Sequence, residues 1–391
     1  MSNNIPLSLY IHIPWCLKKC PYCDFNSHGI NSVTDDLQDK YIAQLIADLE
    51  YDIQRFQLQD RKLISIFIGG GTPSLVKAKN IKKLLVEIKK RITFIANIEI
   101  TLEANPATLM QQKLENLRLA GINRLSLGVQ SFTDDKLILL GRIHNGQTAH
   151  NAILAAKKAG FNNINVDLMH GLPEQTTEEA LYDLQQAISY NITHISWYQL
   201  TIEPNTVFAK YPPKLPHNER LWHIQQHGEK LLKQHNYQHY EISAFSKKQH
   251  CYHNKNYWQF GDYLGIGAGA HAKISMANKN IYRYAKLRLP KSYLAVDLQI
   301  NPAKIISKQH KIAHSEIILE FMMNQLRLLE NIDLNKFEQR TFLKRNILQQ
   351  AYEKACKHGF FHIMKNDIQS CDYLLVNEKT RLFLNDCLEL F

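Results

Sequence analysis

The chain is short of several things at once, and each scarcity excludes a class of protein. Seven cysteines in 391 residues are too few for a disulfide scaffold. No apolar run approaches the roughly 18–20 residues that cross a bilayer. The opening residues, Met1 to Pro6, contain neither a basic leader nor an apolar segment with a cleavage site, so a soluble cytoplasmic protein is expected. Internal repeats and low-complexity stretches are missing, and nothing resembles a recognition helix, a finger or an aromatic sheet for nucleic acid. Charged residues make up only 21% against 45% hydrophobic, which supplies a core and argues against disorder. At about 150 residues per domain, the length fits two or three folded units.

Charge is unevenly distributed. Residues 1–200 hold 20 basic and 19 acidic side chains, whereas residues 201–391 hold 27 and 17, so almost all of the net +11 lies in the C-terminal half. The densest stretch carries nine Lys/Arg from Lys273 to Lys311 against the single acid Asp297. A solvated face is the ordinary reading; attraction to anionic lipid, ligand carboxylates or an acidic partner is the functional one.

Up to about residue 200, short β-branched runs alternate with longer amphipathic stretches, as in strand–helix repeats around a parallel sheet. Six strands are expected at 7–13, 64–68, 98–102, 124–127, 164–168 and 194–200, with helices at 41–53, 81–92, 112–120, 148–159 and 177–192. Six units fall short of the eight that close a full barrel, so the fold class is α/β with a partial (β/α)6 barrel. Prolines at 212, 213 and 216 mark a boundary. The expected division is a barrel at 1–211, an extension at 212–300, and a C-terminal α+β, winged-helix-like domain at 301–391. That last domain would have helices at 316–329 and 344–358 and a hairpin pairing 360–364 with 373–376.

Residues with chemistry to offer follow the expected strands. The loop from Cys16 to Cys23 comes after the first, Gly69-Gly-Gly-Thr-Pro73 after the second, Glu103 after the third, Gln130 after the fourth, and Asp167 at the end of the fifth. The carboxyl ends of parallel strands form one rim, so these residues should converge.

Cys16-Leu-Lys-Lys-Cys20-Pro-Tyr-Cys23 offers three thiolates from one loop, the ligand type that iron–sulfur clusters take. A [4Fe–4S] cube has four corners, so three protein ligands leave one iron open to substrate. A zinc knuckle remains the alternative, with His12 or His28 as a fourth ligand. The glycine run lets backbone approach a ligand closely or simply makes a tight turn. Glu103, Gln130, Arg142 and Asp167 can bond ribose hydroxyls and an amino acid moiety, although each taken singly is commonly a rim residue.

The string Tyr10-Ile-His-Ile-Pro-Trp-Cys16, with Cys20, Tyr22, Cys23 and Phe25 behind it, resembles the radical S-adenosylmethionine (SAM) superfamily. It is most similar to the branch that holds oxygen-independent coproporphyrinogen III oxidase and a related group of heme chaperones. The resemblance covers nearly the whole chain. It implies that the open iron chelates the amino and carboxylate groups of SAM, and that one electron can break a carbon–sulfur bond to release a 5′-deoxyadenosyl radical. It also implies SAM contacts at Tyr10, Tyr22, Gly70, Gly71, Thr72, Glu103, Gln130, Arg142, Asp167 and Thr201.

Two departures bear on the branch. Where the oxidases carry a further cysteine two positions past the third, this chain has Phe25, which counts against decarboxylase activity. The string His253-Asn254-Lys-Asn-Tyr257-Trp258 resembles a signature of the chaperone group. A histidine can ligate heme iron and the neighbouring rings can cover the macrocycle, so His253 is the expected heme ligand, with His271 and Cys251 as weaker candidates. The expected function is binding heme and handing it to apo-hemoproteins on a radical SAM scaffold, with or without turnover. Oxidative decarboxylation of coproporphyrinogen III is the competing reading.

Overall fold

A computed structural model describes residues 5–362 and 367–391. Its centre is one twelve-stranded sheet. The six parallel strands expected from the sequence are present as β1 (Leu7–Ile13), β2 (Lys62–Gly70), β3 (Thr93–Ala104), β4 (Arg124–Gln130), β5 (Ile164–His170) and β6 (His194–Gln199). Each pairs in parallel with the next. Six of the seven β1 residues are buried, as expected of a strand covered on both faces. The covering helices include α1 (Asp35–Arg55), α2 (Ala78–Arg91), α3 (Gln111–Leu119), α4 (Gly146–Lys158) and α5 (Thr177–Ser189). Helix α5 starts with a capping box, in which Thr176 and Glu179 satisfy each other's free backbone N–H groups.

The extension does not form a layer of its own. After α6 (Asn218–Gln234), β7 (Gln238–Glu241) and β8 (Ala244–Ser246) add antiparallel strands beside β6. A short helix, α7 (Tyr252–Trp258), then leads across to the opposite edge. There β9 (Asp262–Ile266) pairs in parallel with β1, followed by antiparallel β10 (His271–Ser275), β11 (Ile281–Lys286) and β12 (Ile306–Lys311). The two edges stay unjoined, so the barrel is partial.

The basic stretch from Lys273 to Lys311 is not one solvated face. Lys273 is buried against Asp262 at 3.1 Å, and Lys286 is buried between Asp48 at 2.5 Å and Asp52 at 2.9 Å. Arg283 pairs with Glu320 at 2.7 Å. Lys286 ties the added strands to α1, Arg283 ties them to the C-terminal domain and Lys273 joins β10 to β9; breaking the fully buried Lys286 or Lys273 pair from one side costs about 3–5 kcal/mol. The other six cations are exposed.

The C-terminal domain has its own core around Phe321, Phe337, Leu348 and Tyr352. Its helices include α8 (His314–Gln325) and α9 (Gln349–Lys357), the latter entered through a 3-10 turn at Arg345–Leu348. Part of the expected hairpin is present, since Phe361 bridges Val376 in antiparallel sense and the His362 N–H donates to Leu375 O at 3.0 Å, while Tyr373–Leu374 pairs with Ile332–Asp333 instead. Met364, part of that expectation, lies outside the described residues.

Candidate functional site

The loop that carries the three cysteines is clamped at its base. Trp15–Cys16 pairs with His28–Gly29, the His28 N–H donates to Pro14 O at 2.7 Å, and the Ile30 N–H donates to Cys16 O at 2.9 Å. Asn26, inside the loop, donates to Ala268 O and Arg288 O, both at 2.9 Å, so the extension braces it. The thiols of Cys16, Cys20 and Cys23 border one cavity of about 470 Å³ at the carboxyl ends of the parallel strands. Burial pushes the Cys16 and Cys23 thiols up. The Thr72 hydroxyl donates to Cys16 Sγ at 3.4 Å, which opposes that rise, and Arg142 Nη1 donates to Cys20 Sγ at 3.6 Å. Among the described residues no three His, Cys, Asp or Glu side chains converge as a single-ion site.

The zinc alternative loses one of its two candidate ligands. His12 is buried with both ring nitrogens occupied, one at 2.8 Å from Asn26 O and the other at 2.9 Å from the Tyr10 hydroxyl.

The glycine run is demanded by sterics. Gly70 has φ +111°, and a Cβ there would stand 2.5 Å from the His12 ring; at Gly71 it would meet Trp15 O at 2.6 Å. With nothing but hydrogen in these places, the Gly71 N–H reaches Ile13 O and the Thr72 N–H reaches Trp15 O, both at 2.7 Å, welding the end of β2 to the start of the cysteine loop.

The polar wall comes from the neighbouring strand ends. Glu103 accepts from the Gly70 N–H at 3.1 Å; burial, reinforced by the charge of Asp167, raises its carboxyl to about 8. Asp167 accepts from Ser126 Oγ at 3.0 Å and from Asn165 Nδ2 at 2.7 Å, and burial raises it too. Gln130 sits at a register shift in β4 with φ +70°, a conformation seldom taken by a non-glycine residue, and its Oε1 accepts from the Tyr198 hydroxyl at 2.9 Å. Arg142 Nη2 donates to Gly128 O at 2.7 Å while its Nε is buried without a partner. Three thiols, two raised carboxyls and an unsatisfied guanidinium N–H make a donor set that fits a cluster beside a zwitterionic nucleotide.

Tyr22, Gly70, Gly71, Thr72, Glu103, Gln130, Arg142, Asp167 and the three cysteines all line this cavity. Tyr10, Thr201 and His253 do not. Tyr10 lies behind the wall with its hydroxyl on His12. Thr201 lines a second, larger cleft of about 1260 Å³ that continues from the first between β5, β6, α6 and the C-terminal domain.

The expectation for His253 is corrected by its surroundings. The residue is 1% exposed; Nδ1 lies 3.0 Å from Ser65 Oγ, Nε2 lies 2.8 Å from the Tyr257 hydroxyl, and the ring stacks on Phe67. Burial drives it down to about 3, so it is a neutral core histidine with no nitrogen left for iron. Glu99 fixes the start of the same helix by accepting from the Tyr252 and His253 N–H groups at 3.2 and 3.1 Å. Cys251 is equally committed, its thiol donating to Glu99 Oε1 at 3.5 Å, and His271 is exposed and lines neither cavity. It is Asn254 and Trp258 of the string that face the cysteine cavity.

Sequence reasoning also missed Ser126, Tyr198, Ser243 and Arg327 in this lining. Ser126 was findable as a residue of a rim strand four positions before Gln130, whereas Tyr198, three positions before Thr201, carried no such signal. Arg327 carried no local signal, because it arrives from another domain.

Comparisons with known proteins identify the family and the fold. The pattern of the Radical SAM superfamily matches residues 10–187, and that of the HemN C-terminal domain matches residues 312–357. The chain is 49% identical to the heme chaperone HemW of Haemophilus influenzae over its whole length and 99% of that protein. It is 44% identical to the heme chaperone HemW of Escherichia coli, covering 99% and 98% of the two chains. Among solved structures, coproporphyrinogen III oxidase (HemN) from Escherichia coli, described as a radical SAM enzyme, superposes with a TM-score of 0.80 at 23% identity, covering all of this chain and 90% of that one. At that identity the likeness speaks for the fold.

Proposed function

The chain belongs to the HemW family of the radical SAM superfamily, and from that premise we propose that it binds heme and passes it to apo-hemoproteins in the cytoplasm. Cys16, Cys20 and Cys23 would hold a [4Fe–4S] cluster, and Gly70, Thr72, Glu103, Gln130, Arg142 and Asp167 would hold SAM beside it. When bound, such a cluster supplies an electron to the sulfonium of SAM. The protein's part is to present polar groups at the cavity wall, with Glu103 and Asp167 as acceptors and Arg142 Nε as a free donor.

The observation that carries the chaperone reading is Phe25. It is 59% exposed and borders both the cysteine cavity and the larger cleft, so an apolar ring stands where the oxidases place a thiol. A phenyl ring can cover a macrocycle but can neither move a proton nor ligate a metal. The six exposed cations between Lys279 and Lys311 suit contact with an anionic membrane surface during delivery, and no helix among the described residues is long and apolar enough to cross a membrane.

One anaerobic preparation tests both readings. Heme titration followed by transfer to an apo-hemoprotein is expected to succeed, while coproporphyrinogen III with SAM and a reductant stays unchanged. Multiple turnovers to protoporphyrinogen IX would restore the oxidase reading.

A further inference from the structure

The cysteine cavity and the larger cleft share a wall, and the one cation in that wall is Arg327. It sits just beyond α8, where the Leu328 backbone bridges Glu241 and the Ile242 N–H donates to Arg327 O at 3.0 Å, so the C-terminal domain extends the β7 edge and carries the side chain to the site. The guanidinium lies over the Trp258 ring at 4.3 Å, which fixes its plane and leaves its N–H edge free. Its Nε is buried and unsatisfied. Among the described residues the side chain has no hydrogen bond and no ion pair; Glu241, the acid acting on it, instead accepts from the Ser243 N–H at 2.9 Å.

A half-buried guanidinium with an unpartnered buried N–H is uncommon, because that donor loses water and gains nothing. Its preferred complement is a carboxylate held by two parallel bonds. The cleft it faces is roomy, with the exposed side chains of Trp222 and Leu382 among its walls and Arg381 as the other guanidinium. The carboxylates that share the lining, Asp24, Glu203, Glu229 and Glu378, repel an anion elsewhere along the wall. We propose that Arg327 anchors the cargo: a propionate of heme lying in the cleft pairs with this guanidinium, on the far side of the wall from the SAM cavity. This rests on the heme-chaperone reading above, and it gives the cargo a site that His253 does not line. The other carboxylate available to Arg327 is that of SAM.

The test uses the cluster-loaded protein under anaerobic conditions, titrated with heme and with heme dimethyl ester, whose propionates are uncharged. The wild type is expected to bind heme at least about tenfold more tightly than the ester, the range of a charge-assisted hydrogen bond. Arg327→Gln should abolish that preference while keeping the ester affinity within about twofold, which also reports that the variant is folded. Arg327→Lys should retain part of the preference. The paramagnetic-resonance change on adding SAM to the reduced cluster should be the same in all three proteins. If Arg327→Gln still prefers heme over the ester, the anchor is elsewhere and the inference falls. If it loses the response to SAM instead, the carboxylate is that of SAM and the inference falls as well. A wild type that binds neither ligand would overturn the chaperone reading itself, and the anchor with it.

Discussion

The Cys16–Cys23 loop and the His253–Trp258 helix both drew attention as strings of ligand-type residues, and they have opposite fates in the fold. The loop turns its thiols into a cavity and hangs on backbone bonds at its base. The helix turns its histidine, Asn256 and Tyr257 into the sheet, where Asn256 Nδ2 donates to Ser8 Oγ at 2.9 Å and His253 joins Ser65 to Tyr257. One string is a site with its groups left open; the other is mostly a fastening, with its groups closed on one another. A run of residues able to bind metal therefore says little about which of them does, until its hydrogen bonds have been counted.

Replacing Cys16, Cys20 and Cys23 by Ser puts the largest weight on this contrast. The expected outcome is complete loss of cluster absorbance and iron with the chain still folded, since the loop is fastened by backbone rather than by thiols. Retention of four irons per chain would make the loop as structural as the helix.

His253→Ala should act the other way round. Removing a buried ring and leaving Ser65 and Tyr257 without their shared partner is expected to lower stability by about 3 kcal/mol, read from the urea midpoint, with heme affinity within about twofold of the wild type. A collapse of heme affinity at unchanged stability would reverse the comparison and return His253 to iron.

The smallest effect concerns the open site. Glu103 has its folded value raised from 4.5 to about 8, so between those values the native chain binds more protons than the unfolded one, and stability falls as pH rises toward 8. Glu103→Gln removes that slope. In the cluster-free, SAM-free protein the variant should gain on the wild type by an amount on the order of 2 kcal/mol between pH 6 and pH 8, measured by urea unfolding at several pH values. Parallel pH profiles for the two proteins would mean that Glu103 is already satisfied within the fold.

The sequence alone determined the six parallel strands, their alternation with helices, and the rim on which most of the site stands. Those features are written locally: β-branched runs bury on both faces, and the periodicity of a helix or strand is visible within ten residues. The cysteine loop and the glycine run were legible for the same reason, since spacing along one loop constrains spacing in space. The tertiary structure decided what depends on contacts across the chain. It placed the extension on both edges of the sheet, sent Lys286 into buried ion pairs with Asp48 and Asp52, closed His253 into the core, and brought Arg327 from the far domain to the wall of the site. A partner some two hundred residues away leaves no mark on the local pattern, and whether a histidine or a cation is open or satisfied depends entirely on such partners.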